Sequence, residues 1–384
     1  MGINALERRK TESEAQAWSS ELLRYDRAES VLDGSFMQLL ADLAPTPSAA
    51  FDLDCFLAIS KGFSCSPLII SVRHMGALAG VLFAAQRQIL GQPIGIVNLG
   101  HFCGDHFLVA RDGDRCSVLA AAVSSLTSRR RVHTLRACIK QGDSLSAVFE
   151  NVPGMILTRQ PIENRDLLHL GTSFDAFLRT LGPNARRNFR RYPDRAKLNG
   201  WRYVESLSPN AIMVALRQLA ARQRTSSYTY ERTTRLADAV KKLPNPVFMG
   251  LQTVGGKWLS VLVGWYSGDR GHILLQLNRR DVEYNGAHLS LVMRSHALQS
   301  LIERGVREIR FPGGCQGILK PYCEPHQYEI LMLKKTDWRP RLFLSEERCR
   351  GAARRWFCST RGAIETVCSK RTIQLLSRVL LPPR

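Results

Sequence analysis

The fold is decided by residues 247–320, VFMGLQTVGGKWLSVLVGWYSGDRGHILLQLNRRDVEYNGAHLSLVMRSHALQSLIERGVREIRFPGGCQGILK. The first part contains three short segments rich in Val, Leu, Ile, Trp and Phe, which are Val247–Val254, Trp258–Tyr266 and Gly271–Asn278. Two tight turns separate them, Gly255-Gly256-Lys257 and Ser267-Gly268-Asp269-Arg270. This pattern predicts a meander of antiparallel strands.

A helix and a further strand are predicted after the meander. Asn285 is a suitable N-cap for a helix that begins near Gly286. One face of this helix is apolar at helical spacing, with Leu291, Leu298, Leu301 and Ile302. Gly305 suits the left-handed position after the last turn, and Val306–Phe311 is a short strand that Pro312-Gly313-Gly314 ends.

The order strand, strand, strand, helix, strand resembles the core of N-acyltransferases of the GNAT superfamily. A first strand and two helices are predicted upstream, at Trp201–Ser206, Pro209–Arg224 and Glu231–Leu243. The resemblance is nearest to the FemAB-like branch, which includes acetyltransferases of cellulose and exopolysaccharide biosynthesis. Two strings carry it, Ala185-Arg186-Arg187-Asn188-Phe189-Arg190-Arg191 and Gly314-Cys315-Gln316-Gly317-Ile318-Leu319-Lys320. It covers roughly residues 66–335.

The first half of the chain repeats the element order of the second half. Strand-like segments, a helix at Cys116–Leu126 and a last strand at Val132–Ile139 follow one another in residues 66–139. We therefore expect an α+β fold with two tandem GNAT-like domains. Each is a mixed, mainly antiparallel sheet flanked by helices, because each sheet face needs helical cover. A basic helical C-terminal tail is expected to follow.

Four regions are predicted along the chain. Residues 1–160 form an N-terminal GNAT-like domain without catalytic function, with early helices at Ser35–Leu43 and Phe51–Ser60. Residues 161–200 form a basic helical connection, in which Pro193 is expected to interrupt the helix Phe174–Asn199. Residues 201–340 form the catalytic acyltransferase domain, and residues 341–384 form the basic tail.

Composition limits the class of protein. The chain has 384 residues, 45% apolar and 23% charged, which is typical of a globular protein. It has no apolar run near the roughly 20 residues of a membrane helix and no signal-peptide pattern, so a cytoplasmic location is expected. The ten cysteines contain no pair two to four residues apart, and no metal site is predicted.

The net charge of +21 is concentrated in two segments. Arg179–Arg202 contains eight Lys or Arg against one Asp, and Lys334–Arg384 contains thirteen against four acids. Such segments attract tRNA, anionic membrane surfaces, coenzyme phosphates or acidic glycans. The predicted polyanion-binding residues are Arg186, Arg187, Arg190 and Arg191, although a solvated helix face would look the same.

The resemblance implies where an acyl-CoA donor would bind. GNAT proteins hold the coenzyme pyrophosphate on backbone N–H groups at the start of the helix after the third meander strand, where the helix dipole also favours anions. Here those positions are Asn285, Gly286, Ala287 and His288. The usual signature is not reproduced, since Glu283 stands where an arginine or glutamine is expected.

Three residues are predicted to lie at the reacting end. Gln276 is a polar residue in what should be a central strand, on the same face as Asn278. Lys320 and Tyr322 follow a glycine-rich turn that contains Gly313, Gly314 and Gly317 and is called the glycine turn below. Lys320 could balance negative charge there, and Tyr322 could protonate a leaving thiolate. A surface lysine and a packing tyrosine are the alternatives. Cys315 is either a small buried residue or a reactive thiol.

The function expected from these features is that of an acyl-CoA-dependent acyltransferase, with N-acetyl transfer by direct attack on acetyl-CoA or another acyl-CoA. The acceptor would be a small molecule or a glycan precursor of the cell envelope or of a polysaccharide. One alternative is a FemAB-type transferase that uses aminoacyl-tRNA. Another is a degenerate GNAT fold that only binds nucleic acid or an anionic surface.

Overall fold

The structure is a computed structural model. It describes residues 18–24, 42–43, 56–57, 60, 62–63, 65–89, 92–99, 107–220, 230–243, 245–312 and 314–336. The predicted C-terminal tail lies outside the described residues, as do nearly all of the helices predicted at Ser35–Leu43 and Phe51–Ser60.

The described part of the chain contains thirteen strands and six α-helices. The strands are β1 (Trp18–Arg24), β2 (Cys65–His74), β3 (Ala77–Ile89), β4 (Gln92–Leu99), β5 (Leu108–Ala110), β6 (Thr134–Lys140), β7 (Met155–His169), β8 (Arg202–Val204), β9 (Pro246–Gln252), β10 (Trp258–Ser267), β11 (Arg270–Asn278), β12 (Glu308–Arg310) and β13 (Glu324–Lys335). The helices are α1 (Arg115–Ser128), α2 (Phe174–Thr180), α3 (Pro183–Leu198), α4 (Pro209–Ala220), α5 (Tyr230–Val240) and α6 (Leu289–Glu303).

Two compact units divide these elements. The first is built on Ser64–Ile162 together with the chain from Tyr328 onward, and the second on Glu163–Gln327. The division therefore falls inside β7 and inside β13. The predicted limits of the four regions stay predictions.

The first unit contains strands in the order β1-β2-β3-β4-β6-β13, with β5 paired to β3. All neighbours are antiparallel except β4 and β6, which are parallel and joined through α1. Helix α1 covers this sheet with a buried face that includes Val118, Leu119 and Leu126. Burial of such aliphatic side chains is the main stabilising term of the unit.

The second unit repeats this arrangement. Its strands run in the order β7-β12-β11-β10-β9-β8, and the parallel pair β11 and β12 is joined through α6. Helix α6 is buried on most sides, with Val292, Met293 and Leu298 in the core. Helices α2 and α3 pack into the same core through Phe177 and Phe189, whose rings meet edge to face. The predicted fold class is confirmed, since both units have mixed, mainly antiparallel strands of one topology flanked by helices.

Helix α3 contains Pro193 in its interior and continues through it. The prediction of a break at Pro193 is therefore wrong, because the break falls at Leu181-Gly182, between α2 and α3. Proline cannot donate the hydrogen bond that the carbonyl of Phe189 would accept in a regular helix. The hydroxyl of Ser295 in α6 donates to that carbonyl instead, at 3.0 Å, so packing supplies the partner that the helix lacks.

Three strands, β1, β7 and β13, were not predicted at all. The helical connection was predicted to begin at residue 161, but the chain as far as His169 belongs to β7, a strand of 15 residues. Its sequence is polar because much of it is exposed, so it lacks the apolar alternation that usually marks a strand. Strand β13 was also missed, although seven of its residues pair with β6.

No helix among the described residues is both long enough and apolar enough to span a membrane.

Candidate functional site

The two parallel strands of the second unit separate after three residues. Arg270–His272 pairs with Glu308–Arg310, and β11 then continues to Asn278 without β12 beside it. A bulge explains the separation, since Val263 pairs with Leu275 and Gly264 with Ile273, which leaves Leu274 as the extra residue of β11. An opening therefore lies along the last part of β11.

The chain after β12 stays with β7 and leaves β11. The backbone N–H of Phe311 donates to the carbonyl of Asp166 at 2.8 Å, and that of Cys315 donates to the carbonyl of Arg165 at 2.7 Å. Gly314 has φ +90°, and a Cβ there would lie 2.6 Å from the side-chain oxygen of Asn164. Only glycine allows this close approach, so the glycine turn is held against β7, beside the opening.

Helix α6 begins at the end of this opening. Its N-cap is His288, in the left-handed region at φ 49°, with no side chain capping the first turn. The prediction that Asn285 caps the helix is wrong, because Asn285 ends a 3-10 turn, Val282–Tyr284, and has extended backbone. The first-turn N–H groups of a helix end without a side-chain cap form an anion-binding surface.

The four predicted donor-binding residues lie together in the loop before α6. Gly286 has φ +78° and nothing within 4 Å of its Cβ position, so a ligand could approach the backbone there. The ring of His288 packs on Tyr192 of α3 at 4.2 Å. The acidic residue of this loop, Glu283, is hydrogen-bonded to Lys257, which lowers the pKa of its carboxyl group.

Gln276 is the centre of a polar network at the opening. Its amide nitrogen donates to the carbonyl of Ser290 at 3.1 Å and to Asn278 Oδ1 at 3.3 Å. Its amide oxygen accepts a hydrogen bond from Arg294 Nε at 2.9 Å. Arg294 Nη1 also donates to the carbonyl of Gln316 at 2.7 Å. Arg294 therefore connects β11, α6 and the glycine turn.

Sequence reasoning missed Arg294, although a signal was present. It is the one charged residue among the first fourteen of α6, LSLVMRSHALQSLI. Its guanidinium also packs on the ring of Phe311, 5.4 Å from the ring centre. A charged group on a helix that is otherwise apolar needs partners when it is half-buried, and such partners often belong to a site.

Two buried thiols lie behind this network. Cys315 and Cys323 are hydrogen-bonded to each other and only 1% and 2% exposed. The hydrogen bond from Cys323 lowers the pKa of Cys315, and the Arg294 guanidinium, 3.7 Å from its sulfur, lowers it further. The pKa of Cys323 is raised by the same bond and by burial. Cys315 is thus a buried residue with a polarised thiol.

The other two residues predicted at the reacting end are placed differently from each other. Lys320 is exposed in the 3-10 turn Gly317–Tyr322. The hydroxyl of Tyr322 accepts a hydrogen bond from the backbone N–H of Gly182, at the start of α3, at 3.0 Å. The role of each in catalysis stays a prediction.

A chain of histidines and carboxylates lies next to the thiols. His326 Nδ1 is 3.2 Å from Asp166 Oδ1, and its Nε2 is 3.2 Å from Glu324 Oε2. Glu324 also pairs with His169 at 2.5 Å, and this bond lowers the pKa of its carboxyl group. These residues lie on β7 and β13, two of the strands that were not predicted, so no sequence pattern indicated that they would lie close together.

The predicted polyanion-binding residues lie on α3, and one of them has a structural role. Arg186 donates to the carbonyls of Leu178 and Leu181 at 3.1 and 3.0 Å, and so satisfies the C-terminal end of α2. Arg187, Arg190 and Arg191 are exposed and line an open groove of about 600 Å³. No group of three or more potential metal ligands was found among the described residues.

Comparison with known proteins identifies the domain that contains this site. Residues 183–322 match the family described as "Acetyltransferase (GNAT) domain". The second unit carries a GNAT domain. No curated protein matches the sequence.

Solved structures of similar fold extend over most of the chain. A tandem GNAT protein from the clavulanic acid biosynthesis pathway has a TM-score of 0.55 at 13% identity, and covers 83% of this chain and 99% of its own. FemX has a TM-score of 0.53 at 10% identity, with 84% and 99% covered. A conserved protein of unknown function from Bacteroides thetaiotaomicron has a TM-score of 0.51 at 12% identity, with 78% and 97% covered.

These likenesses show the fold, and the GNAT domain confirms the prediction of a transferase.

Proposed function

We propose that the protein is an acyl-CoA-dependent acyltransferase, with N-acetyl transfer from acetyl-CoA as the expected reaction, and that the second unit is the catalytic one. The observation that carries this proposal is the stretch of β11 beyond His272 that β12 does not pair with, which leads to the uncapped start of α6. An extended arm with amide groups can pair with a free strand edge, and a pyrophosphate can bind the helix end.

Each part of a coenzyme A thioester has a matching surface. The phosphates would lie at Asn285–His288 and the amides of the pantetheine arm along Leu275–Asn278. The thioester would then lie near Gln276, which Arg294 orients. The cytoplasm supplies acyl-CoA, so we place the reaction there.

The transfer step needs a deprotonated amine and a leaving thiolate. The neutral amine nitrogen attacks the thioester carbon, the C–S bond breaks, and the acyl group stays on the nitrogen, which releases one proton to water and becomes a neutral amide. The coenzyme thiolate takes a proton, which Tyr322 could supply because its hydroxyl oxygen accepts the bond from Gly182 and keeps its own proton. Lys320 could balance the charge of the acceptor. The acceptor class, a cell-envelope or polysaccharide precursor, rests on the sequence resemblance.

A charge placed at the start of α6 tests the donor site. Ser290→Glu puts a carboxylate in the first turn, where it favours the helix dipole but repels a phosphate. We expect acetyl-CoA to bind about tenfold more weakly in calorimetry, with the fold intact. Ser117→Glu in the first turn of α1 is the matched control, and it should leave binding unchanged.

The same titrations distinguish the alternatives. Binding of aminoacyl-tRNA but not of acetyl-CoA would support a FemAB-type transferase instead. Binding of tRNA or an anionic surface without any turnover would support a degenerate fold. If Ser117→Glu weakened acetyl-CoA binding as much as Ser290→Glu, the donor site would not be at α6.

A further inference from the structure

Three aliphatic side chains are strongly exposed at one edge of the second unit. Leu198 is 86% exposed, Val282 is 82% exposed and Val254 is 65% exposed. Large apolar side chains exposed singly are normal, but several at one edge mark an interaction surface. The described residues include six such exposed side chains in total, so half of them lie here.

The three side chains come from chain segments that contact one another. Leu198 ends α3, and a Cβ on nearby Gly200 would lie 2.9 Å from Val254, in the turn between β9 and β10. The next residue, Trp201, contacts the ring of Tyr284 with ring centres 6.0 Å apart. Tyr284 belongs to the same 3-10 turn as Val282. The tips of three segments thus present aliphatic groups together.

Cations adjoin this apolar edge. Leu198 lines the groove of α3 together with Arg187, Arg191 and Arg195. Arg190 lines the groove as well, but its charge is paired with Asp175 at 3.2 Å. Asp194 is the acidic residue among the residues that line the groove. The edge therefore combines aliphatic tips with an excess of positive charge.

We propose that this edge, formed by Leu198, Val254, Val282, Arg187, Arg191 and Arg195, docks on the surface of an anionic lipid bilayer. Aliphatic tips that enter the headgroup region and arginines that contact anionic headgroups are the two contributions that peripheral membrane binding combines. The charge complementarity favours an anionic surface, and the exposed aliphatic groups favour a bilayer over RNA. A nucleic acid would need the cations and flat aromatic surfaces, but not aliphatic tips.

Vesicle sedimentation with the full chain tests the proposal. The probes are vesicles of equal parts phosphatidylcholine and phosphatidylglycerol, and vesicles of phosphatidylcholine alone. We expect binding to the anionic vesicles that weakens with salt, and little binding to the neutral ones. A Leu198→Ser/Val282→Ser variant should bind the anionic vesicles about tenfold more weakly, because it removes two inserting side chains.

The cations are tested by a second variant. Arg187→Gln/Arg191→Gln/Arg195→Gln should weaken binding about a hundredfold, at about fivefold for each cation near an anionic surface. Met75→Ser is the matched control, since Met75 is 82% exposed in the turn between β2 and β3 of the first unit, and it should change nothing. Circular dichroism of each variant checks the fold without any donor.

Two outcomes would overturn the proposal. One is the absence of vesicle binding, or binding that neither variant changes. The other is tight binding of tRNA that the arginine variant removes and the serine variant leaves intact, which would make the edge a nucleic-acid surface. Neither outcome depends on acetyl-CoA, so failure here is separate from failure of the proposed activity.

Discussion

The two units share a topology and differ in where their parallel strands are paired. In the first unit the last four residues of β4, Ile96–Leu99, pair with β6. In the second unit the first three residues of β11 pair with β12, and the rest of β11 extends beyond it. The parallel pair of the first unit is therefore paired at the C-terminal end of β4, whereas that of the second unit is open at the C-terminal end of β11.

The position of the irregularity explains the difference. In the first unit the register between β3 and β4 shifts around Gly95, before the residues that pair with β6. In the second unit the bulge at Leu274 comes directly after the residues that pair with β12. A bulge turns the strand away from its neighbour, so its place along the strand decides whether an edge stays free for a ligand. This supports assigning the donor site to the second unit.

Removal of the close approach at Gly264 should have the largest effect. A Cβ at Gly264 would lie 2.2 Å from the carbonyl oxygen of His272, so Gly264→Ala forces β10 and β11 apart at the bulge. We expect a loss of about 3 kcal/mol in the free energy of unfolding, measured with denaturant. Gly271→Ala, where the nearest atom is a side-chain methyl at 3.2 Å, should cost clearly less. Equal losses would mean that the close approach does not hold the bulge.

The second largest effect is expected from loss of Arg294, which bridges β11 and the glycine turn. Arg294→Ala removes the hydrogen bonds to Gln276 and to the carbonyl of Gln316, and we expect about 2 kcal/mol of destabilisation. Turnover of acetyl-CoA should fall further than donor affinity, because Gln276 loses its orientation. Arg304→Ala, which removes an exposed pair with Glu205, should cost less than about 1 kcal/mol. A similar loss in both variants would argue against a bridge.

The contact between α3 and α6 should have a smaller effect. Ser295→Ala leaves the carbonyl of Phe189 without its donor, which should cost about 1 kcal/mol. In a Pro193→Ala background the helix can supply its own N–H, so Ser295→Ala should then cost less than half as much. Thr127→Val in α1 of the first unit is the control, because Thr127 bonds carbonyls of its own helix and the change should be nearly neutral. An unchanged cost in the Pro193→Ala background would contradict the account.

Acid sensitivity should be the smallest effect. His296 is partly buried against the ring of Tyr203, and burial lowers its pKa below the ordinary value of 6.5. The unfolded chain then binds more protons than the folded chain, so stability should begin to fall as the pH drops below about 6.5 and be lost further as it approaches the lower folded pKa. His296→Phe keeps a ring on Tyr203 and should flatten that part of the curve. An identical pH profile in the two proteins would rule out His296 as the cause.

The regular elements of both units could be predicted because their apolar patterns are strong. The meander, α6 and the parallel last strand follow from alternation and helical spacing, as at Leu291 and Leu298. The start of α6 was placed three residues early, at Gly286 instead of Leu289, because a left-handed histidine at 288 leaves no mark in the sequence. The bulge at Leu274 is equally invisible, because it lies within the apolar run Ile273-Leu274-Leu275.

Long-range contacts account for the rest of what was missed. Strand β7 has mixed polarity, and β13 pairs with β6, almost two hundred residues away, so neither could be predicted from its own neighbours. The histidine and carboxylate chain lies on these strands and was missed with them. Gln276 lies on β11 as expected, but its partner Arg294 is contributed by a different element.

The late position of β13 has a consequence for how the protein is made. Tyr328–Lys334 complete the sheet of the first unit beside β6, yet the ribosome synthesises them only after the whole of Glu163–Gln327. During translation one edge of β6 stays unpaired until β13 is made, and an unpaired strand edge can pair with other chains. A truncated protein that ends before residue 328 would leave that edge of β6 unpaired. The first unit is therefore protected from pairing with other chains only after the second unit and β13 have been synthesised.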